Sequence, residues 1–165
     1  MAKRGIVLDN SSSVFLAKLG LIKTLAGMFN LITTEDIKKE IEEGVKEGYR
    51  DAHIRMGFIQ EGMIKIQKPG SLSQIMKEYE LHKADASILA LAKETDYILA
   101  TEDRQIRYLS KLLKIKNTNA SILIHFLYKK KKLSKQQSFT LLDLLEKWSY
   151  NKEMILKIKQ VMQNE

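Results

Sequence analysis

The run Gly5-Ile6-Val7-Leu8-Asp9 is short, apolar and rich in branched residues, and it stops at a carboxylate. Tyr97-Ile98-Leu99-Ala100-Thr101-Glu102-Asp103 repeats the pattern: an apolar run, then a polar turn carrying acid. Short apolar runs bounded by turn residues read as strands buried on both faces, the kind found in parallel sheets. Working outward from these two, Phe29-Asn30-Leu31-Ile32 is a weaker strand, Met63-Ile64-Lys65-Ile66 a short alternating one, and Lys114-Ile115-Lys116 a final edge strand.

Helical patterns fall between the strands. Val14, Leu16, Leu19, Ile22 and Leu25 mark one region, broken at Gly20. Thr33-Thr34-Glu35-Asp36 reads as a helix start, with a Thr cap, acids in the first turn, and Ile37 and Ile41 four residues apart. Gly44 and Gly48 suggest a frayed helix end, Tyr49 to Glu61 forms another helix, and Pro69-Gly70-Ser71 is a loop. Leu72–Tyr79, the Ala/Leu run Ala84–Lys93 and Arg104–Leu113 are helical in turn. Strands alternating with helices of ordinary length define an α/β fold with a parallel sheet. From about Ala120 only helices are expected, broken near Leu133-Ser134 and Tyr150-Asn151. The chain divides into a domain over 1–132 and a helical extension over 133–165, packed on that domain or at a dimer interface.

Composition removes several classes of function. Among 165 residues there is no cysteine, which excludes disulfide scaffolds, thiolate zinc sites, iron–sulfur clusters and cysteine nucleophiles. His53, His82 and His125 are isolated and lack metal-ligand spacing. The scattered glycines form no phosphate loop. No apolar stretch is long enough to span a membrane, and the N-terminal run is too short for a signal peptide, so the expectation is a cytoplasmic protein. The formal charge of +8 is unevenly placed: residues 104–165 hold 14 basic and 4 acidic side chains. Such an excess suits a polyanionic partner, because neutralising phosphates releases counterions.

Four acids stand out by position. Asp9 and Asp103 each follow a strand, and in α/β sheets ligands sit beyond the carboxyl ends of strands. Asp85 precedes Ile88, Leu89 and Ala92 in helical register, and Glu40 borders the Ile37/Ile41 stripe. Each has a plainer reading: a turn for Asp9, a cap for Asp103 or Asp85, a solvated acidic face for Glu40 beside Glu42 and Glu43. Together they match an oxygen-ligand site for Mg²⁺ or Mn²⁺, since converging carboxylates repel unless a cation binds them.

These stretches, with Val7-Leu8-Asp9-Asn10-Ser11, Ile37-Lys38-Lys39-Glu40, Ala84-Asp85-Ala86-Ser87-Ile88 and Ile98-Leu99-Ala100-Thr101-Glu102-Asp103 in register, resemble the PIN-domain ribonucleases. These include the VapC-type toxins of toxin–antitoxin pairs, and this chain is most similar to a branch with a C-terminal helical extension. The resemblance spans roughly residues 5–130. It implies a three-layer sandwich whose parallel sheet, flanked by helices, has strand order 3-2-1-4-5. Asp9, Glu40, Asp85 and Asp103 then form the catalytic and metal-binding cluster, with Ser11, Thr101 and Glu102 in support. Departures from the pattern are Asn10 where the family usually has Thr, Ser12 where the branch often has Pro, and Ala84-Asp85 where the third acid usually follows Gly and is often Glu.

The implied activity is metal-dependent endoribonucleolytic cleavage. RNA would be held by Arg104, Arg107, Lys111 and the run Lys129, Lys130, Lys131 and Lys132. The implied partners are RNA, an antitoxin protein and a second copy of the chain, with no membrane. Two other readings stand beside it. One is a PIN-like module that binds RNA or protein with little or no cleavage; the other is an unrelated flavodoxin-like domain with a reactive Asp9, for which no second acid beside Asp9 and no downstream lysine after a strand is evident.

Overall fold

A computed structural model describes residues 3–165. In chain order the elements are β1 (Gly5–Leu8), α1 (Asn10–Lys18), α2 (Ile22–Ala26), β2 (Asn30–Thr33), α3 (Glu35–Lys46), α4 (Arg50–Gln60), β3 (Ile64–Ile66), α5 (Leu72–Tyr79), α6 (Lys83–Thr95), β4 (Ile98–Ala100), α7 (Arg104–Leu112), β5 (Asn117–Thr118), α8 (Ala120–Lys129), α9 (Lys135–Lys147) and α10 (Lys152–Gln163). The five strands form one sheet of order β3-β2-β1-β4-β5, and every pairing is parallel. The α/β fold and the strand order expected from the sequence are both present.

Register follows from burial. Val7 lies opposite Ile32 and Leu99, and the three join Ile37, Ile41, Ala52, Ile88, Leu89 and Ile106 in one core. Ile6, Leu8 and Leu31, also buried, occupy the alternate positions of the same strands and so point to the other face. α6 is buried all along Ala86–Ala92. A helix apolar on every side belongs in the interior.

Two details depart from the sequence reading. The last strand is Asn117–Thr118, not residues 114–116. Lys114 adopts a left-handed conformation (φ 57°) and the Ile115 amide bonds back to the Ser110 carbonyl, so this segment closes α7 before the chain can extend. Gly44 does not fray its helix either. α3 runs on to Lys46, and a Cβ at Gly44 would stand 2.9 Å from the Ala52 Cβ, so the glycine allows α4 to approach. Gly48, at φ 83°, makes the turn beyond the helix.

The chain forms two compact units, one ending at Thr118 and the other covering Asn119–Glu165. In the second, α8, α9 and α10 bury Ile124, Leu127, Leu142, Leu145, Ile155 and Met162. Asn119, Ser134 and Asn151 cap the three helices, with a full capping box between Ser134 and Gln137. The breaks near Ser134 and Asn151 fall where the sequence suggested. α8 groups with the two tail helices, whereas the sequence-based boundary at 132/133 would place it with the strands.

Candidate active site

Because all five strands are parallel, the residues after β1, β2 and β4 meet at one edge. Asp9 directly follows β1 and is 6% exposed. Its Oδ2 accepts from the Thr101 hydroxyl at 2.6 Å and the Ser11 hydroxyl at 3.0 Å, while Oδ1 accepts from the Asn10 amide at 2.7 Å. Ser11 and Thr101 have second duties. The Ser11 oxygen accepts from the Glu102 amide and the Thr101 oxygen from the Asp103 amide. The turn after β1 and the turn after β4 are thus sewn together through hydroxyls, with the Asp9 carboxylate at the centre. Asp103, at the surface, caps α7 by accepting from the Ile106 amide at 3.0 Å. Both aspartates are therefore also helix caps, the plainer role the sequence offered for Asp103 but not for Asp9.

Glu40 and Asp85 are supplied by α3 and α6. Buried hydroxyls fix how these helices start: Thr33 donates to the Leu8 carbonyl at 2.7 Å, and Thr34 and Ser87 are hydrogen-bonded at 2.7 Å. Asp85 lies in the first turn of α6 and is half-buried. Glu102, the third supporting residue, accepts from the Ser12 hydroxyl at 2.8 Å.

The acids act on one another. Burial raises the Asp9 carboxyl above the ordinary range against its three hydrogen bonds, and Asp85 adds repulsion. Burial followed by the Asp103 charge raises Asp85, with His82 opposing. Glu40 is more exposed, yet partial desolvation and then the charges of Asp9 and Asp85 raise it too. The charges form a linked chain, Glu40 to Asp9 to Asp85 to Asp103.

Donor chemistry suits a hard divalent cation, since every side chain offered is an oxygen ligand. Among the described residues, however, no three Asp, Glu, His or Cys side chains come together as a group that could hold an ion. A Mg²⁺ site does not demand such a cage. Mg²⁺ keeps several waters and binds through one or two carboxylates plus substrate phosphate.

Arg55, on α4, is a residue the sequence reading passed over. It is 3% exposed. Its guanidinium donates to the Asn10 side-chain oxygen, to Ser13 at 3.0 Å and to Asp51 at 2.8 Å, while its Nε is buried without a partner. Burial lowers its pKa, and Asp51 is the main opposing influence. The one signal in the sequence was the Asp51/Arg55 spacing of four, which reads as an ordinary surface pair.

The predicted RNA contacts divide between the units. Arg104 and Lys111 are exposed on α7 and Arg107 is half-buried; Arg104 and Arg107 lie close in sequence to Asp103, and Lys111 is in the last turn of the helix. Lys129–Lys132 end α8 in the second unit. There Lys129 pairs with Glu165 at 3.3 Å and Lys130 lies 5.7 Å from the centre of the Phe126 ring.

A strand-end aspartate braced by hydroxyls, on a 3-2-1-4-5 parallel sheet, agrees with the family found by sequence comparison. Residues 5–163 match a PIN domain family (DUF3368), and the chain belongs to that family. Its members are typically nucleases that bind divalent metals. Among solved structures the chain is similar to PAE2754 from Pyrobaculum aerophilum, at 19% identity and a TM-score of 0.52, covering 74% of this chain and 95% of that one. That likeness is one of fold. No curated protein matches, and no helix is long and apolar enough to cross a membrane among the described residues.

Proposed function

We propose that this PIN domain is a metal-dependent endoribonuclease whose site is Asp9, Glu40, Asp85 and Asp103. The observation that carries the reading is placement: Asp9 and Asp103 follow the adjacent strands β1 and β4, and Glu40 and Asp85 lie on the helices α3 and α6. Ionised carboxylates held partly out of water near a ligand-binding edge cost stability, and a cation is their natural counterpart. Bound there, Mg²⁺ or Mn²⁺ would acidify a water and offset charge on the phosphate.

The chain's own residues do the rest. Ser11 and Thr101 hold Asp9 in one orientation, and their hydrogen bonds offset part of the burial that disfavours its ionised form. Arg104 and Arg107 give the RNA backbone cationic partners beside Asp103, and Lys111 adds one at the other end of α7. Lys129–Lys132 offer a separate cationic segment in the second unit. A toxin role, with an antitoxin partner and a homodimer, extends the same proposal.

A second reading, an RNA-binding module that cleaves little, is favoured by one observation: the acids are not drawn into a three-ligand group. One experiment separates the two. A long single-stranded RNA is incubated with wild type, Asp9→Asn and Asp103→Asn, in Mn²⁺, Mg²⁺ or EDTA. The nuclease reading expects cleavage by wild type with metal only, and a loss of at least about 100-fold in each variant. If EDTA makes no difference, or Asp9→Asn cleaves as fast as wild type, that reading falls.

A further inference from the structure

Beyond β2 and β3, on the edge that carries Asp9, lies a pocket of about 480 Å³ that the four acids do not use. Its walls come from α3, α5 and α6 and the segment after β3. They bring together three lysines, Lys39, Lys68 and Lys83, two acids, Glu35 and Asp36, and the apolar residues Ile66, Pro69 and Leu72. Among the described residues Lys83 pairs with Asp36 at 3.7 Å, whereas no carboxylate pairs with Lys39 or Lys68. The loop at the rim is held in place: Glu94, from α6, accepts from the Gly70 amide at 2.8 Å and the Ser71 amide at 2.6 Å. A pocket with a fixed rim loses little entropy when it takes a ligand.

We infer that this pocket is a subsite for one nucleotide of the RNA, adjoining the scissile phosphate and selecting a base rich in N–H donors, guanine first. The inference rests on the ribonuclease reading for its placement but not for its binding chemistry. Two unpaired lysines suit a phosphate. A wall of Ile66, Pro69 and Leu72 suits the face of a base, which plain anion sites do not need. A carboxylate accepts two parallel N–H bonds from the Watson–Crick edge of guanine, and single-stranded bases are read on that edge. Uracil offers two carbonyls and a single N–H, so Glu35 disfavours it.

Placement agrees with this chemistry. The helices that build the pocket also build the acid cluster: Lys39 precedes Glu40 on α3, and Lys83 stands two residues before Asp85 on α6. Adjacent strands are roughly 4.8 Å apart. The step from the end of β1 to the ends of β2 and β3 is therefore one to two strand widths, comparable with the length of one extended nucleotide.

The test measures binding apart from cleavage. Fluorescence anisotropy in EDTA compares the full chain with Lys39→Ala/Lys68→Ala and with Glu35→Gln, using the RNA pentamers UUGUU and UUUUU. Wild type is expected to prefer UUGUU by at least about fivefold, the low end of what a bidentate base contact discriminates. The lysine double variant should weaken both pentamers and reduce the salt slope by about 0.7 for the phosphate released. Glu35→Gln should bring the two pentamers level, weakening UUGUU and modestly strengthening UUUUU as a negative charge leaves the pocket. Equal affinity of wild type for both pentamers, or a double variant that binds as wild type does, overturns the subsite. A preference that persists in a protein unable to cleave under any metal supports the subsite and rejects the nuclease reading. Cleavage with no preference does the reverse.

Discussion

A single carboxylate shows what the candidate site costs in stability. Asp85 stands in the first turn of α6, where the helix N-terminus favours a negative charge by a few tenths to about 1 kcal/mol. Its pKa is nevertheless raised, so burial and the Asp103 charge outweigh the helix. The sign of the pH effect follows. A carboxyl whose pKa is raised by folding favours the native state while protonated. That advantage is full below the unfolded-state pKa and is lost as pH rises through the folded one. Asp85→Asn should therefore be more stable than wild type at neutral pH in EDTA, and the gap should close on acidification. Urea unfolding across this range measures it; two curves that run parallel throughout would count against the charge coupling. Asp9 and Asp103 were legible in the sequence because strand ends can be located from apolar runs. Arg55 was not. Its partners Asn10 and Ser13 lie on α1, and only tertiary packing brings α4 against that helix.

At the level of elements, α3 and α4 pack together, with Arg55 acting on Glu40 and Gly44 set against Ala52. A Cβ there would meet Ala52 at 2.9 Å, backbone-close and not easily relieved. Gly44→Val should push the helices apart and destabilise the fold by about 1–3 kcal/mol, the range for overpacking. Gly44→Ala should cost less, because the helix gains up to about 1 kcal/mol of propensity from losing a glycine. Chemical denaturation of both variants checks the order, and equal stability of the Val variant and wild type would show that the two helices pack loosely there. The sequence marked Gly44 as a helix end because glycine is a poor helix residue, but a crossing point needs glycine for a reason that no local pattern displays. The final strand was misplaced by a comparable blind spot. Lys114 in a left-handed turn carries no sequence flag, whereas a glycine there would have announced one.

Across the whole molecule, charge is divided by role: the acids of the candidate site lie in the strand-bearing unit, while the second unit carries a lysine run and few acids. This division was readable from the sequence, since it depends on counting and not on packing. Its consequence is that affinity and chemistry should separate on mutation. Replacing Lys129–Lys132 with alanine removes cationic partners from RNA without touching Asp9, Glu40, Asp85 or Asp103. Binding of a long single-stranded RNA should weaken, and its salt dependence should flatten by about 0.7 in logarithmic slope for each phosphate that is no longer neutralised. Lys129 also pairs with Glu165, but an exposed ion pair contributes little, about 0–1 kcal/mol, so the fold should survive. Affinity for Mn²⁺, read from the rise in Tm that ligand binding confers, should stay at the wild-type value. Asp9→Asn should do the opposite, abolishing the Mn²⁺-dependent rise while leaving the RNA salt slope intact. Filter binding at two salt concentrations beside a thermal titration with Mn²⁺ reads both axes on the same proteins. If the lysine variant loses its response to metal, or Asp9→Asn loses its affinity for RNA, the two functions share residues and the division of labour drawn from the charge map is wrong.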